Sequence, residues 1–465
     1  MQIFKLNVEK LLIKIDYCHS YASYLIVLWQ MQAIIFYVRC LNMKKLRIGL
    51  LGIGRGSDIC RFCSDADNAE IVAICDKWEE GLKNLSKKLN DDKISYYTDY
   101  DKFILHDMDA VYLANYATEH APFAIKAMEA GKDVISEVLP VQTMSEAVRL
   151  IECCERTGKK YCYAENNCFM GVSLEAKKIY KSGKLGEFEY GEGEYLHNCE
   201  SVWTDITYGE REHWRNRMTA FFYCTHSVGP LLHVTGLKPK KVTGFECPFN
   251  ARMARMGAMG GHTAVEMITL ENDAVVKSVH GVGCSKCSTW YTFYGSKGRI
   301  ESAREAADQS GVSRVYVDLD EKEGIESNNV QTYIPEAAQA EVCKNYGHGG
   351  SDYYCFYNAA DYILGNKNAD IIDLYEALDM WMCGFFGYIS VLSGGIPMEI
   401  PDMHDPKVRE QFRNDNRCTD PKVAGEQLLP SNSKGNPEIP EKVYEIRKEE
   451  RKRNLENKAK SEDNK

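Results

Sequence analysis

The chain has 465 residues, enough for two or three domains, with 44% hydrophobic residues to build a sizeable core and 27% charged residues. A formal net charge of −10 argues against nucleic acid as a partner, because binding its backbone rests on clustered Lys and Arg. The dense basic run "IRKEERKRNLENKAK" is interleaved with Glu and reads as a solvated helix or tail.

The eighteen cysteines are scattered, many within apolar runs such as "IVAICD", which fits a reducing, cytoplasmic setting. The two C-x-x-C pairs, Cys60/Cys63 and Cys284/Cys287, lie too far apart in sequence for a paired zinc site, so no metal is expected. At the start of the chain, residues 1–43 fit no pattern. Their apolar stretch Tyr21–Val38 is at the lower edge of a membrane span and carries two glutamines and a serine. "MKKLRIGLLG" looks like the natural start of a cytosolic enzyme at Met43, so a membrane role is expected only if the preceding 42 residues belong to the working protein.

From residue 44 to 165 strands alternate with helices. "LRIGLLG", "AEIVAICD", "MDAVYLAN" and "DVISEV" read as the first four strands and "KKYCYAEN" as a further one. Amphipathic helices lie between them, including "PFAIKAMEAG" and "SEAVRLIECCERTG", the latter with Ser145 as expected N-cap and Gly158 as stop. This alternation predicts a doubly wound parallel sheet, an α/β domain. From 166 to 406 the texture changes: "EFEYGEGEYLHN", "KKVTGFECP", "TAVEMITLEN", "AVVKSVHGVG" and "TWYTFYGSKGRIESA" follow one another without long intervening helices. An α+β domain with a large, mostly antiparallel open sheet is expected. Residues 407–465 read as a polar tail.

The turn after the first strand carries "GLLGIGRGSDICRF". Gly52 and Gly54 occupy the first two glycine positions of a dinucleotide-binding G-x-G-x-x-G fingerprint, with Ser57 in the third, Gly56 before it and Arg55 within the loop. The helix start would cradle a pyrophosphate. Asp76 closes the second strand where an acid binds ribose hydroxyls and repels a 2′-phosphate. This Rossmann-type signature predicts NAD, with NADP less favoured and kept open only by Lys77.

"NYATEHAPFAIKAMEAGKDVISE" then resembles the Gfo/Idh/MocA oxidoreductases, the glucose–fructose oxidoreductase and inositol dehydrogenase family, and the likeness extends over roughly residues 44–405. The resemblance implies that Asn115 and His120 lie near the nicotinamide. "YAENNCF", "GEFEYGEGEYLHN", "YCTHSVGP", "YGHGGSDYY" and "EIPDM" are similar to one branch, the NAD-dependent glycosidases of the α-N-acetylgalactosaminidase type. There Glu-Val-Pro replaces the Glu-Lys-Pro of the dehydrogenases. Here "EVLP" inserts Leu139 before Pro140, and Cys224 stands where that branch usually has proline. Relatives also imply a homo-oligomer built on the open sheet face.

Oxidising a sugar carbon needs a base for the hydroxyl proton. His226 is the first candidate, with Tyr223, three residues earlier, as positioner or proton relay and His348 as a further acid or base in a glycine loop. Tyr195 and His197 alternate on a strand and so share a face toward substrate. Glu137 and Glu165 are placed to reach the nicotinamide carboxamide or ribose. The expected function is hydride transfer between a sugar or glycoside ring carbon and nicotinamide. The alternatives are a redox-neutral glycosidase working by oxidation, elimination, hydration and reduction, and a non-catalytic NAD and sugar sensor. A cofactor-free hydrolase would need a recognisable carboxylate pair and would leave the glycine loop unexplained.

Overall fold

The computed structural model describes residues 44–304, 314–322, 325, 330–341 and 345–462. The apolar stretch at 21–38 lies outside them, and among the described residues no helix is long and apolar enough to cross a membrane.

The first sheet contains β1 (Leu46–Leu51), β2 (Ala69–Cys75), β3 (Ser95–Tyr97), β4 (Ala110–Leu113), β5 (Asp133–Ser136) and β6 (Tyr161–Tyr163), in the order β3-β2-β1-β4-β5-β6. Its pairings are all parallel. Its strands are near-continuous apolar runs because helices cover both faces. These helices include α1 (Ile53–Asp65), α2 (Glu79–Leu89), α3 (His120–Glu129) and α4 (Met144–Thr157). The short edge strand β3 was not anticipated; "SYY" is too brief to show a period. The cap of α4 also differs from expectation: Thr143 accepts from the Glu146 N–H, and Ser145 is already inside the helix. Glu146 reaches back to the Gln142 N–H, which favours the earlier start.

After α5 (Gly171–Lys181) the chain enters the second sheet. Its strands are β7 (Phe188–Asn198), β8 (Pro239–Glu246), β9 (Ala264–Leu270), β10 (Val275–Gly281), β11 (Gly283–Gly295), β12 (Gly298–Ser302), β13 (Val315–Leu319), β14 (Gln331–Tyr333) and β15 (Met398–Glu399). The order is β14-β13-β12-β11-β7-β10-β9-β8-β15, antiparallel except where β10 lies parallel to β7. "TWYTFYGSKGRIESA" forms the hairpin of β11 and β12. One face is covered by α7 (Cys224–Thr235) and α9 (Leu374–Leu392), which follow α6 (Glu200–Thr207) and α8 (Ser351–Leu364) in the chain respectively. A single apolar cluster runs through both domains.

The segment after Pro406 ends in α10 (Glu441–Glu462). Tyr444 is 3% exposed and donates to the Gly257 carbonyl, while Arg451 pairs with Asp205 at 2.6 Å. The polar tail is therefore pinned to the second domain along α6. The basic run expected to be solvated supplies part of that contact.

Candidate active site

Two ends of the fold converge at the C-terminal edge of the parallel sheet. The first is the glycine loop. Gly52 has φ of 93° and its missing Cβ would lie 2.5 Å from the Ala114 carbonyl oxygen, so only glycine fits this turn. A Cβ on Gly54 would project into open space, which leaves room in front of the helix. Gly52 at the cap of α1 has no side chain, and beyond the Ile53 N–H, which Asp76 takes, the N–H groups of the helix's first turn have no partner within the helix. The remaining free N–H groups, with an open space before them, fit a dinucleotide phosphate. The third glycine position needs correction. Gly56, not Ser57, allows close packing of helix on strand, since its Cβ would come within 2.5 Å of Leu50; Ser57 instead donates to the Gly54 carbonyl. Asp76 accepts from the Ile53 and Trp78 N–H groups, each at 2.8 Å, one on each oxygen. A carboxylate oxygen has a second lone pair, so ribose hydroxyls fit beside these bonds.

Arg55 joins this loop to the second domain. Its guanidinium meets Glu137 at 3.2 Å and Asp352 at 2.9 Å. Burial works against its charge, but the two carboxylates outweigh it and hold it protonated. Glu137 also accepts from Tyr112 Oη at 2.6 Å. Burial pushes Asp352 up, yet the hydrogen bond from His348 and the charge of Arg55 pull it well below the usual carboxylate range. Asn166 Nδ2 lies 2.9 Å from His348 Nδ1 and 2.8 Å from Asp352. His348 itself has φ of 53° and is followed by Gly349 and Gly350 at 67° and 90°, so the left-handed loop aims the imidazole onto Asp352.

The second end is α7 on β7. His226 Nδ1 is 2.7 Å from Glu165 Oε1, and both side chains are buried. The carboxylate fixes the tautomer: Nδ1 carries the proton and donates, so Nε2 presents a lone pair. The backbone of His226 is fixed too. Pro230 lies four residues on and has no N–H, so it cannot bond the His226 carbonyl. Tyr291 Oη and Asn167 Nδ2 take its place at 2.6 and 3.0 Å. Thr225 lies inside this helix, and Tyr223 holds the cap position, without a side-chain cap bond. Cys224 is accommodated by a close approach to α9, where a Cβ on Gly384 would lie 2.5 Å from its sulfur.

Tyr195 packs on His226 at 4.5 Å between ring centres, and Tyr223 stacks on both rings. Tyr195 and His197 lie on the same side of β7 with ring centres 6.0 Å apart. Arg215 donates to Tyr223 Oη at 2.5 Å. Burial, and then the neighbouring His226 and His348, lower the pKa of His197, so it is neutral at pH 7. Three histidines, two tyrosines and an arginine thus gather beside the glycine loop's network. Glu165, expected at the cofactor, is held by His226 and the Asn167 N–H, with Oε2 unpaired. His120 is buried and bonds the Leu139 carbonyl at 2.7 Å, which anchors the 136–140 turn from below. Asn115 leaves its Oδ1 without a partner.

Sequence reading missed Tyr112, Asn166, Arg215 and Asp352. Asp352 was findable, lying four residues after His348 at a helix start, and Asn166 directly follows Glu165. Nothing local marks Arg215 or Tyr112.

A parallel dinucleotide-type sheet, with an acid–histidine pair and two tyrosines held over it by a second open-sheet domain, defines a nicotinamide-dependent oxidoreductase. Residues 46–165 match the Gfo/Idh/MocA family, described as "Oxidoreductase family, NAD-binding Rossmann fold". The chain carries that family's NAD-binding domain. Among similar proteins, glycosyl hydrolase family 109 protein 1 of Bacteroides thetaiotaomicron is 25% identical over 410 residues, covering 78% of this chain and 85% of its own. Family 109 protein 4 of Phocaeicola vulgatus is 27% identical over 414 residues, covering 78% of each. Among solved structures, the WlbA dehydrogenase of Bordetella pertussis, in complex with NADH and UDP-GlcNAcA, has a TM-score of 0.63 at 20% identity, covering 77% of this chain and 98% of its own. The aldose–aldose oxidoreductase of Caulobacter crescentus has a TM-score of 0.61 at 17% identity, covering 77% and 100%.

Proposed function

We propose that this site moves a hydride between a ring carbon of a sugar or glycoside and NAD. The observation that carries the reading is the buried Glu165–His226 pair, whose free Nε2 sits under Tyr195 and Tyr223 beside a glycine loop built for a dinucleotide. Bound NAD would supply the hydride acceptor. His226 Nε2 takes the hydroxyl proton, and Glu165 stabilises the imidazolium that results. Tyr223 accepts from Arg215, which leaves its own hydroxyl proton free to donate to a substrate oxygen. His348, backed by Asp352, is the second proton carrier. Asp76 favours NAD over NADP by repelling a 2′-phosphate.

A second reading is favoured by the curated relatives, which are glycosyl hydrolase family 109 proteins over 78% of this chain. In it the hydride is returned after the aglycone leaves, and no net oxidation results. His348 then protonates the leaving oxygen. The free and mostly buried cysteines suit a reducing, cytoplasmic location. Phe245, Met267 and Tyr294, exposed on the open sheet, suit self-association.

The test is a panel of free sugars and nitrophenyl glycosides, with NADH and nitrophenol followed together. Steady NADH formation with added NAD supports the dehydrogenase and removes the glycosidase. Nitrophenol release without NADH, abolished by stripping the cofactor, establishes the second reading. Nucleotide and sugar binding with neither signal would leave a sensor.

A further inference from the structure

A cavity of about 420 Å³ opens where the C-terminal ends of α5 and α7 meet the start of α9. That size falls within the range of small-molecule sites, roughly 300–1,000 Å³. The cavity shares no lining residue with the cluster around His226 and the glycine loop.

Most charges of the lining are already matched. Lys177 donates to Asp370 at 2.6 Å and to His233 Nε2 at 2.7 Å, and His233 Nδ1 donates to Glu376 at 2.7 Å. Asp373 caps α9 by accepting from the Glu376 N–H. Lys238 stands 3.9 Å from Asp402, which meets His404 at 2.9 Å. Two charged groups are left over. Asp379, one turn beyond Glu376 on α9, has no hydrogen bond or ion pair to its carboxyl group among the described residues. Burial, set against the more distant charge of Lys238, pushes its pKa up to about 8. Lys181, exposed in the last turn of α5, has no acceptor among the described residues.

A polar group set into a wall without a partner is an exception that asks for one. Here one acid and one lysine, from different helices, line the same cavity unpaired. Their complement is a ligand that carries both an ammonium and a carboxylate. A metal ion fits less well, because among the described residues no three His, Cys, Asp or Glu side chains converge to hold one. Tyr375, stacked on His404 at 3.9 Å between ring centres, and Tyr180 add an aromatic wall for the rest of such a ligand.

We propose that this cavity is a binding site for a small zwitterion, an amino acid, with its ammonium on Asp379, its carboxylate on Lys181 and its side chain against Tyr375 and Tyr180. The site stands apart from the hydride chemistry and does not depend on it. Binding exchanges the Asp379 proton for the ammonium of the ligand.

The full chain is titrated by isothermal calorimetry at pH 8.5, above the raised Asp379 value, with leucine, glutamate and 4-aminobutyrate. Propylamine and propionate, each carrying one of the two charges, are the controls. Asp379→Asn keeps the shape and removes the anion. Lys181→Gln, at an exposed position, keeps the test open should the first variant misfold, and far-ultraviolet circular dichroism checks the fold of both. At least one of the three zwitterions is expected to bind once per chain, more tightly than either control. Its affinity should fall by about tenfold or more in Asp379→Asn, as when one partner of a sheltered charge pair is removed. In Lys181→Gln the loss should be about three- to fivefold, the upper end for an exposed pair. Binding by none of the three, propylamine binding as tightly as the zwitterions, or an affinity within twofold of wild type in Asp379→Asn overturns the site.

Discussion

In the proposed reaction, Glu165 is the residue on which the chemistry turns. A carboxylate bonded to Nδ1 selects the tautomer that leaves Nε2 basic and then stabilises the charged ring. Glu165→Gln keeps the size and removes both effects. Turnover is expected to fall by about 10²–10⁴-fold, the range for removal of general base function, with little change in nucleotide binding. The check is kcat under saturating substrate together with a nucleotide titration. A kcat near wild type would return Glu165 to a cofactor-contact role. Sequence alone located both residues but not their pairing. They are 61 positions apart, and only the packing of α7 against the turn after β6 brings them together. His348 and Asp352 were closer to being legible, since their spacing is local; Arg55, the third member of that group, lies 297 positions from Asp352.

At the scale of elements, the site depends on how tightly α7 lies on β7. Gly193 sets that distance, because a Cβ there would lie 1.8 Å from the Ser227 carbonyl oxygen. No side chain can relieve this clash, since the obstacle is backbone. Gly193→Ala is expected to cost about 1–3 kcal/mol, as overpacking does, and to separate Tyr195 on the strand from His226 on the helix. Urea denaturation and turnover should both report it; full stability would mean that the strand shifts without strain. The parallel sheet was readable because its strands are apolar runs closed by glycine or an acid. The strands β13, β14 and β15 were not, because they are short, polar or at the margin of the sheet.

For the whole molecule, buried carboxyl groups set the pH range of stability from opposite sides. Glu266 on β9 is fully buried without a close hydrogen-bond partner; His280 Nε2 stands 4.0 Å from its Oε1, and the Ser278 hydroxyl, shared with Ser227 and His280, offsets its burial only in part. Burial pushes its pKa from 4.5 up to about 8. Between those values the folded chain keeps a proton that the unfolded chain has lost, so stability falls as pH rises through the window. At about 1.4 kcal/mol per unit the loss is on the order of 3–5 kcal/mol. Asp379, also pushed up to about 8 by burial, adds to the same slope. Asp352 acts in the other direction. Its depressed pKa gives stability that is present above the ordinary carboxylate range and lost as pH falls toward its folded value. Glu266→Gln, neutral at every pH, should therefore raise the urea midpoint clearly at pH 8.5 and barely at pH 5. An equal gain at both would show that Glu266 is not protonated in the folded chain near neutral pH. A remaining alkaline slope in the variant is expected, because Asp379 is still present.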